Sequence, residues 1–212
     1  MKGRDIMPGT FTPRRAAHAL MLGACLLAGT GCVRFGAKPP AQLLTITPQS
    51  SVSAGETLAD ANDNALFVDL PVTPRSIATA RVAVRDGNTS FAYVKDAAWV
   101  DLPARQFQSL LAETIRARIG RLVLDPGQFL ARRGQTLEGT LQDFGIDAAN
   151  HSAVVTYDAT LMSPDGQRIT RRRFTASAPV TEIDANSVAP AINQAANEVA
   201  VAVADWIRTQ GN

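Results

Sequence analysis

Cysteine and histidine are scarce in this chain of 212 residues. Both cysteines, Cys25 and Cys32, lie near the N-terminus, and no cysteine follows them. An intramolecular disulfide or a thiolate zinc site is therefore excluded beyond Cys32. The two histidines are His18 and His151, and only His151 lies beyond the N-terminal segment. These shortages disfavour metal-dependent and nucleophilic catalysis, so we expect no catalytic residue, no cofactor and no metal.

Aromatic residues are also few, at 6% of the chain, whereas apolar residues make up 46%. This apolar fraction is too high for a disordered chain and is enough for a hydrophobic core. The core should consist mostly of Ala, Val, Leu and Ile. The length suits one domain of ordinary size with an extension.

The N-terminus has the order of a secretory signal peptide. Residues 1–15 are basic, residues 16–28 are apolar except for His18, and small residues then precede Cys32. The apolar run of about 13 residues is shorter than the ~20 that a membrane-spanning helix needs. We therefore predict that residues 1–31 are a signal peptide.

A cysteine after small residues resembles the lipobox of bacterial lipoproteins. In that family the signal peptidase cuts before the cysteine, which then carries the lipid. Two sites compete here: "LGAC", ending at Cys25, has the favoured leucine, whereas "GTGC", ending at Cys32, leaves a longer apolar region before the cut. We predict lipid attachment at Cys32, with Cys25 as the alternative.

The basic character of the chain comes from the predicted signal peptide. Residues 1–31 contain four Lys or Arg and one Asp, so their removal changes the formal net charge from +2 to −1. No basic surface is left to suggest nucleic-acid binding. We predict that residues 32–42 are the lipidated tether, because residues 33–42 contain Gly and paired Pro without apolar periodicity; these ten residues could span ~33 Å when extended.

The remaining residues, 43–212, predict an α+β domain in which a mostly antiparallel sheet carries two main helices on one face. Alternating residues predict a hairpin at 81–94 and three successive long strands between 135 and 180, with a bulge near Gln142–Asp143. Helical periodicity covers 101–119, with Asp101 as N-cap, and 187–207, with Ser187 as N-cap. Shorter strands are expected at 43–47, 65–72 and 121–125.

The stretch "RVAVRDGNTSFAYVKDAAWVDLPARQFQSLLAETI", residues 81–115, resembles the ABC-type transport auxiliary lipoprotein family, which includes the PqiC-like proteins. Its strand, turn, aromatic strand and Trp-acidic-Pro step into a helix follow that family's pattern. "LEGTLQDF", "DGQRITRRRFTASAPV" and the Ala-rich end extend the resemblance over residues 32–207.

This resemblance implies a protein that is not an enzyme. It implies an envelope lipoprotein that assists an ABC permease and ATPase and an MCE-domain protein in moving lipids between the two membranes. Membrane attachment would be through the covalent lipid, whose acyl chains include palmitate. In many such lipoproteins an Asp directly after the lipidated cysteine favours retention in the inner membrane, and here that residue is Val33. We therefore expect the protein at the periplasmic face of the outer membrane. Self-association is left open.

Several residues are candidates for a site. Tyr93 and Trp99, with Phe91, could form an aromatic contact for the MCE partner or anchor the core. On a strand, Arg171 and Arg173 share one face, which favours a solvated edge over a lipid-head contact. A set of acids around His151 has hairpin spacing and no catalytic motif: Asp143, Asp147, His151 and Asp158.

Two other functions remain open from the sequence. One is a periplasmic lipid carrier, which would need a large apolar pocket. The other is a lipoprotein that regulates cell-wall synthases.

Overall fold

The domain is a mixed sheet with two helices. The computed structural model describes residues 42–59, 65–124 and 134–210. Within them, the strands are β1 (Gln42–Leu44), β2 (Leu66–Val68), β3 (Arg81–Asp86), β4 (Ser90–Trp99), β5 (Val123–Leu124), β6 (Gln135–Asp147), β7 (Ser152–Met162) and β8 (Ile169–Pro179), and the helices are α1 (Pro103–Ile119) and α2 (Ala185–Gln210).

The long strands form the predicted antiparallel pairs. β3 pairs with β4, β6 with β7, and β7 with β8. The expectation of a mostly antiparallel sheet is wrong, because β1–β4, β2–β5, β2–β6 and β3–β6 are parallel. Strand β6 is long enough for β2 and β3 to share one of its edges. The α+β class is correct, and the sheet within it is mixed.

The bulge predicted in β6 is confirmed, because its register with β7 shifts between Leu141 and Asp143. Leu141 lies opposite Tyr157 before the shift, and Phe144 lies opposite Val155 after it. The extra residue therefore keeps both Leu141 and Phe144 on the same buried face.

Both helices pack on that face of the sheet, as predicted. The Phe107 ring of α1 contacts Tyr157 of β7 at a centroid distance of 5.3 Å. The Trp206 ring of α2 contacts Phe174 of β8 at 5.5 Å. Tyr157 and Phe174 lie opposite each other in register, so their side chains share a face. We call this the helix-bearing face and the other the helix-free face.

Helix α1 begins at Pro103 rather than at the predicted 101, and its N-cap is Leu102 rather than Asp101. The proline suits the first turn because its missing N–H has no intrahelical partner. Gly120 ends the helix with φ 65° and donates its N–H to Arg116 O. Its apolar stripe is buried: Phe107, Leu110, Leu111 and Ile115.

Helix α2 begins two residues before the predicted Ser187. Asp184 Oδ1 accepts the Ser187 N–H at 2.8 Å, so Asp184 performs the capping expected of Ser187. Pro190 then lies inside the helix rather than in its first turn. The buried stripe of α2 is rich in alanine, which lets it approach the sheet and α1 closely.

Residues 45–52, which we call the strap, leave β1 and are bonded to side chains of both helices. Gln106 Oε1 and Glu113 Oε1 of α1 accept the N–H groups of Ile46 and Val52 at 3.1 and 2.8 Å. On α2, the buried Asn197 donates to Thr47 O at 2.9 Å. Its Oδ1 also accepts the Gln49 N–H at 2.8 Å. The strap thus obtains its hydrogen bonds from helix side chains instead of a neighbouring strand.

Candidate partner-binding face

The helix-free face carries charged and aromatic side chains of five strands. Register pairs Arg85 with Phe91 and with Asp147, so the face extends from β4 through β3 to β6. It continues to β7 and β8, where Asp158 lies opposite Arg173. Because alternate residues of a strand point to opposite faces, the core side chains occupy the other face.

Asp158 is the centre of an ionic network on this face. Only 3% of its surface is exposed, because two arginines of β8 and Gln142 of β6 surround its carboxylate. Arg171 Nη2 and Gln142 Nε2 lie 3.3 and 3.2 Å from Oδ2, and Arg173 holds both oxygens. The hydrogen bond from Arg173 is the largest cause that lowers the pKa of Asp158 to about 2.

A second ionic group lies nearer the β3–β4 turn. Arg85 Nη1 lies 3.4 Å from Asp143 Oδ1, and its Nη2 lies 3.9 Å from Asp147 Oδ2. The side chain of Asn150 also donates to Asp147, at 3.0 Å, which is the main cause of the lowered pKa of that carboxyl. The carboxylates of Asp143 and Asp147 thus both contact polar side chains of the same face.

Tyr93 lies on this face and is half-buried. Its Cα partner is Ala83, which in turn pairs with Gly145 on the face opposite Phe144. Arg81 stacks over its ring at 3.8 Å, and its hydroxyl donates to Ser76 O at 3.4 Å. The neighbouring Phe91 projects into solvent with 52% of its surface exposed.

Trp99 lies on the other face of the same strand. Its side chain is 2% exposed, and its ring packs on Phe144 at 5.3 Å. Asp96, with φ 54°, shifts the alternation of β4 between Tyr93 and Trp99. The structure therefore does not bring these two predicted contact residues onto one surface: Trp99 anchors the core, and Phe91 is the exposed neighbour of Tyr93.

Asp143 and Asp158 do not converge with His151, and Asp147, which lies opposite Ser152 next to His151, is bonded to Asn150 and Arg85. His151 lies before β7 in an exposed turn, with φ 44°. Asp158 lies seven residues further along, about 23 Å away at the rise of a strand. Asp158 is held by arginines and Asp143 by Arg85, so neither faces the imidazole as a catalytic pair would.

The helix-bearing side has an open groove of about 530 Å³ between the strap, α1 and β5. Its walls include four charged side chains: Asp101, Arg105, Glu113 and Arg116. Glu113 and Arg116 pair with each other at 3.3 Å, and Arg116 also donates to Val123 O. The groove is open and mixes these charged side chains with apolar ones, so it is not the large apolar pocket that a lipid carrier would need.

The described residues add two observations on ligands and membranes. Neither helix among them is long and apolar enough to cross a bilayer. No cluster of three or more His, Cys, Asp or Glu side chains among them could hold a metal ion. The predicted lipid-attachment residues, Cys32 and Cys25, lie outside the described residues, as does the predicted signal peptide.

The fold is shared with solved structures. Protein XCC0632 from Xanthomonas campestris, of family DUF330, is 21% identical, with a TM-score of 0.67 over 81% of this chain and 97% of that one. The crystal structure of an uncharacterized protein is 14% identical, with a TM-score of 0.60 over 78% of this chain and 99% of the other. A search of curated proteins finds no match.

A family assignment comes from the sequence over almost the whole described part of the chain. The family model described as "ABC-type transport auxiliary lipoprotein component" matches residues 43–204. The matched segment runs from within β1 into α2 and so spans the sheet and both helices. The chain belongs to the ABC-type transport auxiliary lipoprotein family.

Proposed function

We propose that this chain is a non-enzymatic envelope lipoprotein that docks an ABC permease and ATPase complex and its MCE-domain protein, and so assists lipid movement between the inner and outer membranes. The observation that carries this proposal is the family match over residues 43–204. The predicted signal peptide and the cysteine that follows it add an anchor to the docking domain.

The chemistry of the helix-free face supports docking rather than turnover. The carboxylates of Asp143, Asp147 and Asp158 are each bonded to cations or amides of the same face. The lowered pKa values of Asp147 and Asp158 keep these two carboxyls ionised near neutral pH, where a general acid would need a proton to give. Exposed Phe91 beside Tyr93 supplies the aromatic surface that interface cores favour.

The anchor restricts where the domain works. If Cys32 carries the lipid, the tether of residues 32–42 lets the domain stand at most ~33 Å from the membrane. We place the anchor in the outer membrane because the residue after Cys32 is Val33 and not an Asp, which would favour retention in the inner membrane. A partner from the inner membrane must then cross most of the periplasm, and the anchor raises the local concentration of the docking domain where that partner arrives.

Site-specific cross-linking in intact cells tests this function. A photo-reactive residue at Phe91 or Tyr93 should capture an MCE-domain protein or a component of an ABC complex. The matched control is Gln194, which lies on the exposed surface of α2 and should capture neither.

Capture of a cell-wall synthase instead, with no transporter component, would replace this proposal with the regulator function. Co-purification of a stoichiometric phospholipid with the purified domain would favour the lipid carrier.

A further inference from the structure

Strand β8 has a long free edge. Along the described residues it pairs only with β7, over all eleven of its positions. Two backbone bonds fix which groups face inward: Ser163 donates to Arg168 O, and Val180 donates to His151 O, both at 2.9 Å. Both pairs continue the register of β7 and β8.

The alternation of an antiparallel pair then assigns every backbone group of β8. The even-numbered residues from 170 to 178 exchange hydrogen bonds with β7, and the odd-numbered residues direct theirs away from the sheet. The outward N–H groups belong to Ile169, Arg171, Arg173, Thr175 and Ser177. Pro179 holds the next outward position and lacks an N–H, which ends the row of donors.

The side chains along this edge are basic. Arg171 and Arg173 are exposed on the helix-free face, and Arg172 lies over the Phe174 ring on the other face, 5.1 Å from its centroid. Asp158, the acid that contacts this edge from β7, balances one of the three positive charges. The edge therefore combines unused backbone donors and acceptors with excess positive charge.

The positive charge of this edge favours an acidic partner strand over a second copy of this chain. A second copy that paired antiparallel over the whole row 169–177 would place Arg173 opposite the same residue of the other copy, and like charges opposite each other destabilise a sheet. A partner strand with acidic side chains at alternate positions would instead face Arg171 and Arg173 on one side of the sheet. Carboxylates form strong, charge-assisted hydrogen bonds with guanidinium groups.

We propose that the outer edge of β8 binds an extended acidic segment of a partner protein, which adds to the sheet as a further strand. The proposal deepens the docking function and rests on it only for the identity of the protein that supplies the segment. Backbone hydrogen bonds to residues 169–177 hold the added strand, and Arg171 and Arg173 select its acidic side chains.

Peptide binding to the full chain in detergent tests the proposal. The probe is a fluorescein-labelled peptide of about nine residues that alternates Glu with Val, and the control peptide replaces Glu by Lys. The Glu peptide should bind, and the Lys peptide should not. Thr175→Pro removes one outward donor without removing a bond to β7, and should weaken binding by at least about tenfold.

Thr175→Ala is the matched control. It also loses the contact of the Thr175 hydroxyl with Thr156 Oγ1, but it keeps the backbone donor, so it should bind within about twofold of wild type. Hydrogen exchange gives an independent readout: the bound peptide should slow the outward amides of Arg171, Arg173 and Thr175. The inward amides of Arg172 and Phe174 should be slow in both states.

Equal binding of the Thr175→Pro and Thr175→Ala variants would overturn the proposal, as would peptide protection confined to another surface. Protection of the same amides by raising the concentration of the protein alone would also overturn it and indicate a second copy. If the Glu peptide does not bind while cross-links to the transporter persist, only the proposal for the outer edge of β8 is refuted. Peptide binding without any transporter cross-link would refute the proposed function and leave the edge standing.

Discussion

Asp158 and Arg173 face each other across β7 and β8 in a two-point ion pair. Arg173 Nε lies 2.6 Å from Asp158 Oδ1, and its Nη2 lies 2.7 Å from Oδ2. The carboxylate is buried while the guanidinium is largely exposed. This arrangement is consistent with the register of β8 against β7 and compensates a buried charge that would be costly without a partner.

We predict that Asp158→Asn destabilises the fold by about 1–3 kcal/mol at pH 7, because it removes the charge that the arginines surround. The folded-state pKa of Asp158 lies near 2, below the ordinary value of 3.8. The stabilisation is therefore present above pH 3.8 and is lost as pH falls from 3.8 towards 2.

Denaturant unfolding across this range checks the prediction. Wild type should lose stability more steeply than Asp158→Asn as the pH falls from 3.8 to about 2. Asp143→Asn, which affects a more exposed pair, serves as the control. Parallel pH profiles for wild type and Asp158→Asn would show that the pair contributes no stability.

We predict that Gly139→Ala destabilises the domain by about 1–3 kcal/mol through overpacking. A Cβ at position 139 would collide with the backbone oxygen of Asp158 and with the Tyr157 ring, which lies 2.8 Å away. Tyr157 is fully buried, so its ring cannot move aside freely. Thermal unfolding of Gly139→Ala should show the loss, whereas Glu138→Ala, an exposed neighbour, should leave the melting temperature nearly unchanged.

The sequence predicts the local parts of this fold well because their signals are local. The Pro-Asp-Gly turn at 164–166 predicts that β7 and β8 pair, but counting outward from these three residues would place Asp158 opposite Arg172. In the structure Gln167 also belongs to the loop, because Ser163 bonds to Arg168, and Asp158 therefore lies opposite Arg173. The change of apolar phase in β6 likewise locates its bulge. These are consequences of alternation and turn chemistry.

The missed features depend on distant parts of the chain. Strands β1, β2 and β5 are two or three residues long and join the sheet in parallel, and no alternation over so few residues identifies their partners. The shift at Asp96, which separates Tyr93 from Trp99, carries no composition signal, because aspartate adopts a positive φ in only a minority of cases. The sequence consequently suggests that Tyr93 and Trp99 lie in one aromatic cluster, whereas in the structure they lie on opposite faces of the sheet.

We predict that Asn197→Leu releases the strap from α2. The buried amide of Asn197 donates to Thr47 O and accepts the Gln49 N–H, and leucine can do neither. The cost should be about 1–3 kcal/mol, and the amides of Thr47 and Gln49 should exchange faster with solvent. Gln194→Leu on the exposed side of α2 is the matched control. Unchanged exchange in the strap of Asn197→Leu would contradict this role.

We predict that His151→Asn keeps full function in an envelope-integrity complementation assay at normal protein level. The substitution removes the imidazole, and asparagine tolerates the positive φ of 44° at this position better than most residues. His151→Ala tests the same point with a strained backbone, so its stability should be measured beside its function. Loss of function in a stable His151→Asn protein would reveal a chemical role for the imidazole.

The last prediction concerns the anchor. Cys32→Ala should leave an unprocessed or mislocalised precursor, because the lipid that follows cleavage can no longer be attached, while Cys25→Ala should be processed normally. Each buried CH₂ of an acyl chain contributes ~0.8 kcal/mol, so two or more chains hold the protein stably and a single chain does not. Labelling with radioactive palmitate and separation of the two membranes report both attachment and location. Lipidation that is lost in Cys25→Ala and retained in Cys32→Ala would move the anchor to Cys25, lengthen the tether by seven residues, and leave an apolar stretch in the mature protein between the lipid and the domain.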